Sequence, residues 1–236
     1  ATNVAARVVG WYRRDGGYID NIAGELVFPT LLADQGLAAA TFDNEELAEE
    51  DYNDVTTYGA RAALRIELDD NWTVTPQIMG QRQEGHGSFG EERGLGKRET
   101  MQFNPERVED KWWQAALTVE GRIGNFDVTY AGSYMRRQVD SELDYVDYGY
   151  FYDALAGYGS YFYDNAGNFV SPNQYIQGED DYRRTFGEIR IASPAENRWR
   201  VIAGLFAQRQ SHLIEQNYIV DDIADAVTVT GTGSNI

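Results

Sequence analysis

The chain predicts an all-β fold: a segment of an antiparallel up-and-down transmembrane β-barrel, with long extracellular loops and short periplasmic turns. Three observations carry that prediction. Apolar and polar residues alternate strictly over long stretches, the period of a strand whose side chains point to opposite faces. The stretches run roughly twice the ~5–6 residues of an ordinary strand, and a tilted strand crosses a bilayer in about 9–11. Very short turns alternate with long loops, the rhythm of an outer-membrane barrel. A soluble sandwich also alternates, so length and rhythm carry the distinction.

The clearest stretch is Tyr58 to Arg82. Tyr58, Ala60, Ala62, Leu64, Ile66 and Leu68 share one parity, and Gly59, Arg61, Ala63, Arg65 and Glu67 the other. Asp69-Asp70-Asn71 breaks the pattern with turn formers. Trp72, Val74, Pro76 and Ile78 then face one side, and Thr73, Thr75, Gln77, Met79, Gln81 and Gln83 the other.

Before it, Val4 to Arg14 reads as a first strand, closed by Asp15-Gly16-Gly17. An irregular segment follows to Asp54. Its acidic part, Asn44 to Asp51, is expected to form a short helix with Asp43 or Asn44 as N-cap. After the hairpin, Gly85 to Asp110 is a glycine-rich, mixed-charge loop. Trp113, Ala115, Leu117, Val119, Gly121 and Ile123 then line one face of a strand. Gly124-Asn125 turns it, and Phe126, Val128, Tyr130, Gly132 and Tyr134 face the same side on the return. Trp113 and Tyr134 are placed near an upper aromatic girdle. Asp140 to Asp180 is the most aromatic loop. Arg184 to Ala192 and Trp199 to Gln210 are strands about Ser193–Asn197, and Ser211 to Ile236 is polar and unassigned. The count is about seven strands.

Composition removes several classes. The 236 residues carry 38 acidic and 20 basic groups, a net charge of -18. A duplex binder needs the opposite balance, so no nucleic-acid partner is expected. There is no cysteine, hence no disulfide framework and no thiolate metal site. No apolar run approaches the ~20 residues of a spanning helix. Sixteen tyrosines and five tryptophans suit strands, membrane interfaces or a binding surface.

Two stretches resemble a known family. Arg7-Val8-Val9-Gly10-Trp11-Tyr12-Arg13-Arg14-Asp15-Gly16-Gly17-Tyr18-Ile19-Asp20-Asn21 is similar to a barrel strand and loop entry of TonB-dependent outer-membrane receptors. Gly187-Glu188-Ile189-Arg190-Ile191-Ala192-Ser193-Pro194, then Ala203-Gly204-Leu205-Phe206, looks like a strand, periplasmic turn and strand of the same family. With the loop rhythm between them, the resemblance covers most of the chain. It implies a plugged barrel of about 22 strands in the outer membrane of a Gram-negative bacterium. It also implies energised import of a scarce nutrient such as a ferric siderophore, cobalamin or a saccharide. The implied partners are outer-membrane lipid and lipopolysaccharide, the receptor's own plug domain, the TonB complex and a small-molecule ligand. Neither plug nor TonB-binding segment is recognisable in this chain. It is therefore expected to be an internal part of the barrel, already mature at Ala1 or internal to a longer precursor.

No catalytic constellation, cofactor motif or metal signature stands out. His86 and His212 are isolated, and Gly85-His86-Gly87 and Gly94-Leu95-Gly96 are loop glycines without a following helix pattern. The acidic groups Glu45-Glu46, Glu49-Glu50-Asp51, Asp180-Asp181 and Asp221-Asp222 match no calcium loop and read as solvated charge. The candidate ligand-binding residues are loop aromatics: Tyr145, Tyr148, Tyr150, Tyr152, Tyr158, Tyr161 and Tyr163, with Phe151, Phe162 and neighbouring glycines. Tyrosine on a glycine-rich backbone gives rigid amphipathic contacts. The same rings also serve to pack the loop, and the parity of Tyr148, Tyr150 and Tyr152 reads as a strand continuing upward. Arg61, Arg65, Glu67, Gln77, Gln81, Glu120 and Arg122 are expected to face the barrel interior. The resemblance has that surface meet the plug; a hydrated wall is the plainer reading.

Two alternatives stay open: a passive porin-like channel without a plug, and a soluble all-β carbohydrate-binding or hydrolytic domain. About seven strands make an open sheet with two unpaired edges, which lipid does not tolerate. The isolated chain, refolded in detergent, is therefore expected to show no heat-modifiable, protease-resistant band on a gel.

Overall fold

The computed structural model describes residues 3–28, 40–156 and 173–221, with backbone alone at 40 and 152–156. In chain order the strands are β1 (Val4–Asp15), β2 (Asp20–Asn21), β3 (Glu25–Phe28), β4 (Ala40–Asp43), β5 (Val55–Glu67) and β6 (Trp72–His86). They continue as β7 (Glu99–Thr100), β8 (Arg107–Ile123), β9 (Phe126–Asp144), β10 (Gln174–Ala192) and β11 (Ile202–Val220), with one α-helix among the described residues, α1 (Val146–Ala156), before β10. Seven long strands form one antiparallel sheet in the order β1-β5-β6-β8-β9-β10-β11. Each is joined to its sequence neighbour in the sheet, the up-and-down order expected. The sheet is open among the described residues, with β1 and β11 as its edges.

The register sorts side chains by face. Val8 lies opposite Ala62, Ala62 opposite Ile78, Ile78 opposite Ala115, and Ala115 opposite Tyr134. One row lower, Ala6, Leu64, Pro76, Leu117 and Gly132 fall on the same face. Leu64 and Leu117 are 43% and 38% exposed, and Ile66 and Val74 are half-buried. Among the described residues no second large sheet covers this face; the other two sheets have two strands each. On β8 the apolar face runs from Trp113 to Ile123. About ten steps of ~3.3 Å give ~33 Å, or ~25 Å at a tilt of ~40°. Trp113 and Tyr134 meet at the top of this band with ring centroids 5.3 Å apart. At the bottom the Trp72 ring lies across Gly121, where a Cβ would collide with it. Above the band the same face turns charged: Arg82 pairs with Glu109 at 2.8 Å, and Arg136 with Asp181 at 2.9 Å.

Short turns close the lower end. Asp69 Oδ1 accepts from the Asn71 and Trp72 amides at 2.8 and 2.9 Å, the Asx geometry that suits aspartate to turns. Gly124 sits at φ 61°, open to glycine and costly for other residues. The third turn is longer than the sequence indicated. The Ser193 amide donates to Val201 O at 2.9 Å, so Trp199 lies in the turn and β11 starts at Ile202. Pro76 stands inside the sheet, where proline is uncommon. Its missing N–H falls on the β5 side: that ladder lapses at Leu64 and Arg65, while the β8 ladder runs on through Pro76 opposite Leu117.

Strands β10 and β11 are longer than the sequence pattern showed. β10 begins at Gln174 and β11 runs on through Ser211 to Val220, each spanning 19 residues. Above the apolar band both faces are polar, so the alternation that marks a strand disappears while the ladder continues.

The long loops fold together over the upper end. β2 pairs with β7 in parallel, β3 with β4 antiparallel, and Asn21 bridges to Glu49. Phe28, Phe103 and Val146 form the buried core there, packed by Leu26, Phe42, Met101 and Tyr150. Phe42 stacks on Phe103 at 5.3 Å. Buried asparagines take the place of a ladder. Asn44 accepts from the Gly24 amide at 2.7 Å and donates to Ile22 O and Gln102 O, both at 3.0 Å. Asn21 donates to Leu47 O at 2.8 Å and accepts from the Gln102 amide at 2.8 Å.

Two local expectations are corrected. The helix over Asn44 to Asp51 is only a 3-10 turn, Glu45–Leu47, and the Asn44 side chain makes no cap because the loop backbone engages it. Residues Tyr148, Tyr150 and Tyr152 belong to α1, not to a continuing strand. Asp144 Oδ1 accepts from the Val146 amide at 3.1 Å at the helix start, and Val146 and Tyr150, four apart, enter the Phe28 core together.

Asn44→Ala removes three buried side-chain hydrogen bonds, to the Gly24 amide, Ile22 O and Gln102 O, the last of which keeps Asn21 Nδ2 at 3.2 Å. It is expected to weaken the cap by about 1–3 kcal/mol, read as faster amide hydrogen exchange at Gly24 with the β8–β9 ladder unchanged.

Candidate functional site

The loop aromatics gather at the start of α1. Tyr145 stacks on Tyr148 with centroids 4.7 Å apart and planes 23° from parallel, and Tyr218 meets Tyr145 edge-on at 5.5 Å. The turn is held by backbone: the Tyr145 amide donates to Gln174 O at 3.0 Å, and the Tyr148 amide to Tyr145 O at 3.1 Å. A hollow of about 310 Å³ opens here, lined by Gln102, Asp144, Tyr145, Asp147, Tyr148 and Phe151 among others. Tyr148 and Phe151 are 44% and 53% exposed. Their spacing of three places both rings on one face of the helix.

The seven candidate tyrosines therefore divide. Tyr145 and Tyr148 line the hollow. Tyr150 packs edge-on against Phe28 at 5.7 Å and belongs to the cap core. Tyr152 lies in α1, its side chain outside the described residues, as are Tyr158, Tyr161 and Tyr163 altogether. The sequence reading missed Asp144, Asp147 and Gln102. Asp144 just before an acidic residue and an aromatic run was the available signal, since aspartate at a helix start with acid in the first turn marks an N-terminus.

Asp144 is fixed from several sides. Its carboxylate accepts from the Phe103 amide at 2.6 Å, from Asn104 Nδ2 at 2.9 Å and from the Val146 amide. Asn104 Nδ2 also donates to Gln174 O at 3.0 Å. Behind it, Glu106 Oε1 accepts from the Asp144 amide at 3.3 Å, and Tyr52 Oη accepts from the Glu106 amide at 3.3 Å. Burial, with the nearby Asp144 charge, pushes the Glu106 carboxyl up to about 7. Burial and the Glu106 charge hold the Tyr52 phenol well above its ordinary range. Asp147 is raised as well, by burial and then by the charges of Glu92 and Asp144.

On the far side of Glu106 an acidic cleft of about 920 Å³ is lined by Glu46, Glu49, Glu50, Asp51, Asp54 and His86 among others. His86 Nδ1 lies 2.7 Å from Asp54 Oδ1, and Arg14 reaches Asp54 Oδ2 at 3.3 Å. The His86 hydrogen bond, then the charges of His86 and Arg14, hold the Asp54 carboxyl below its ordinary range. His212 lies against Tyr182 and 3.5 Å from Asp180. Among the described residues no group of three or more His, Asp or Glu is placed to hold a metal ion.

The interior-facing candidates all share the face opposite the apolar band. Arg61 donates to Gln77, Arg65 lies 3.4 Å from Glu67, and Trp11 Nε1 donates to Gln81 at 3.3 Å. Glu67 and Glu120 both lie opposite Thr73, on either side of β6, and Arg122 pairs with Asp127 at 3.1 Å. The two ion pairs, Arg65–Glu67 and Arg122–Asp127, are solvent-exposed and individually weak, ~0–1 kcal/mol each. Their value is to keep a charged wall hydrogen-bonded to itself.

No family model matches this chain, and comparisons with curated proteins and with solved structures return no match.

Glu106 gives the cap a definite pH response. Its folded pKa lies above the ordinary 4.5, so the folded state holds the proton more tightly than the unfolded chain. The contribution is complete below the ordinary glutamate range and is lost as pH rises through about 7. Protection factors of the cap amides, exchange corrected for its intrinsic rise with pH, are expected to fall across that window, and Glu106→Gln is expected to flatten that fall.

Proposed function

We propose that the chain is a wall segment of a TonB-dependent outer-membrane receptor. Its seven strands take their place in a larger barrel, with the apolar face against lipid and the charged face against the plug. The cap holds the ligand site at the aromatic hollow of α1. Transport proceeds by binding and gated passage, without chemistry on the ligand. One observation carries this reading. An apolar band of about 25 Å, the height of an outer-membrane barrel's lipid-facing surface, crosses the sheet with aromatic rings at its margins and no second sheet over it among the described residues.

The opposite face supports the assignment. Arg61, Arg65, Glu67, Gln77, Gln81, Glu120 and Arg122 project from it toward a lumen, where charged groups stay hydrated or pair with a plug. Two exposed edges support placement within a longer sheet, because an edge left unpaired in hydrocarbon costs several kcal/mol for each backbone group.

The test places the same residue on the two faces. Leu117→Arg stands near the middle of the apolar band, where arginine costs about 2–4 kcal/mol in lipid. In the intact protein it is expected to abolish the heat-modifiable barrel on a gel. Gln77→Arg, on the opposite face, is expected to leave it intact. Equal tolerance of both in a water-soluble monomer would sink the receptor reading.

A further inference from the structure

We infer that the apolar face carries, along its upper margin, a binding belt for the phosphate groups of anionic lipids, formed by Arg82, Lys111, Arg136 and Arg183. The inference rests on the receptor reading and names the lipid chemistry that the outer wall meets.

The ladders set the belt at one height. Trp113 lies opposite Arg136, and Arg136 opposite Arg183. In the next row up, Arg82 lies opposite Lys111, and Asp181 falls in line with them beyond Gln138. Below the Trp113 row this face carries one charged residue among the described residues of its seven strands, Arg209 on the edge strand β11. Above the belt the sign reverses, with Glu84, Glu109, Asp140 and Glu179 in a single row. Apolar, basic and acidic layers thus follow one another up the sheet. In a chain of net charge -18, a basic layer is not a by-product of composition.

Pairing leaves the belt positive. Asp181 is the one carboxylate in its two rows among the described residues, and it serves both Arg136 and Arg183 at 2.9 Å. Arg82 and Lys111 share Glu109 from the row above, at 2.8 and 3.2 Å. The Nε of Arg82 and of Arg136 has no partner among the described residues. All four side chains stay 37–54% exposed. Exposed ion pairs are weak, so their carboxylates can share these cations with a phosphate, whose oxygens match the guanidinium fork.

Position selects the partner. A phospholipid carries its phosphate directly above its acyl chains, and the belt stands directly above the apolar band. Tyr12 and Tyr58 lie exposed in the Arg82 row, as aromatic rings do at headgroup level. A free anion gains nothing from the band beneath, and a zwitterionic headgroup brings no net charge to the belt.

The experiment is native mass spectrometry of the intact receptor in detergent micelles doped equally with phosphatidic acid and phosphatidylcholine of the same chains. Phosphatidic acid is expected to be retained roughly tenfold over phosphatidylcholine, the range of a few basic groups at an anionic surface. Joint replacement of Arg82, Lys111, Arg136 and Arg183 by Gln is expected to bring the ratio near one. Arg82→Lys with Arg136→Lys and Arg183→Lys is expected to keep most of it. Arg137→Gln, at the same height on the opposite face, is expected to leave it unchanged. Where the glutamine variant fails to fold, the ratio of the unaltered protein and the lysine variant decide. Equal retention of the two lipids, an unchanged ratio in the folded glutamine variant, or displacement of the lipid by equimolar inorganic phosphate overturns the assignment. Heat modifiability of the same preparation separates the two claims. A heat-modifiable barrel without the preference sinks the belt alone. A water-soluble protein that forms no such barrel sinks the receptor reading and the belt with it.

Discussion

Backbone pairing across the sheet is the constraint on which the rest depends. Each of the six strand junctions keeps one register from end to end, without an inserted residue. Parity is therefore transmitted from β1 to β11. Apolar residues far apart in the chain, such as Val8 and Leu205, end on one face because each ladder hands the alternation to the next. A slip of one residue at any junction would turn every later strand inside out. The turns guard against that slip. Asp69 and Gly124 fix two of them with geometry that few other residues supply.

The cap solves a different problem. Its chain is irregular, and its backbone groups have no ladder to satisfy them. Burial of unpaired amides is expensive, so side-chain amides do the pairing. Asn21, Asn44 and Asn104 each bond to more than one separate segment. This arrangement orders the loops with only a small apolar core behind them. It also sets the position of α1, whose Val146 and Tyr150 enter that core and leave Tyr148 and Phe151 outward.

What the sequence made legible follows from these two regimes. The apolar band was readable because one face is apolar and the other polar, as at Tyr58–Leu68 and Trp113–Ile123. The upper parts of β10 and β11 were not. Gln177, Glu179 and Asp181 face one side and Gly178, Asp180 and Tyr182 the other, so no contrast marks the strand. Pairing with β9 alone reveals it. Tyr148, Tyr150 and Tyr152 misled for a related reason. Three alternate tyrosines fit a two-residue period, yet the buried Val146 and its partner four residues on fit a helix, and tertiary packing chose the helix. The site was legible in its rings and not in its carboxylates. Asp144 and Asp147 acquire meaning only once α1 exists.

Asp144 carries a consequence of its own. One carboxylate closes a helix, receives the Phe103 amide and is braced through Asn104 against the start of β10. Segments far apart in the chain thus share a single anchor. Replacement of any one of these loops alone meets that anchor. A transplanted loop that omits either end of the anchor leaves its neighbours with orphaned polar groups. The segments that carry Phe103, Asp144 and Gln174 are therefore expected to accept replacement only together.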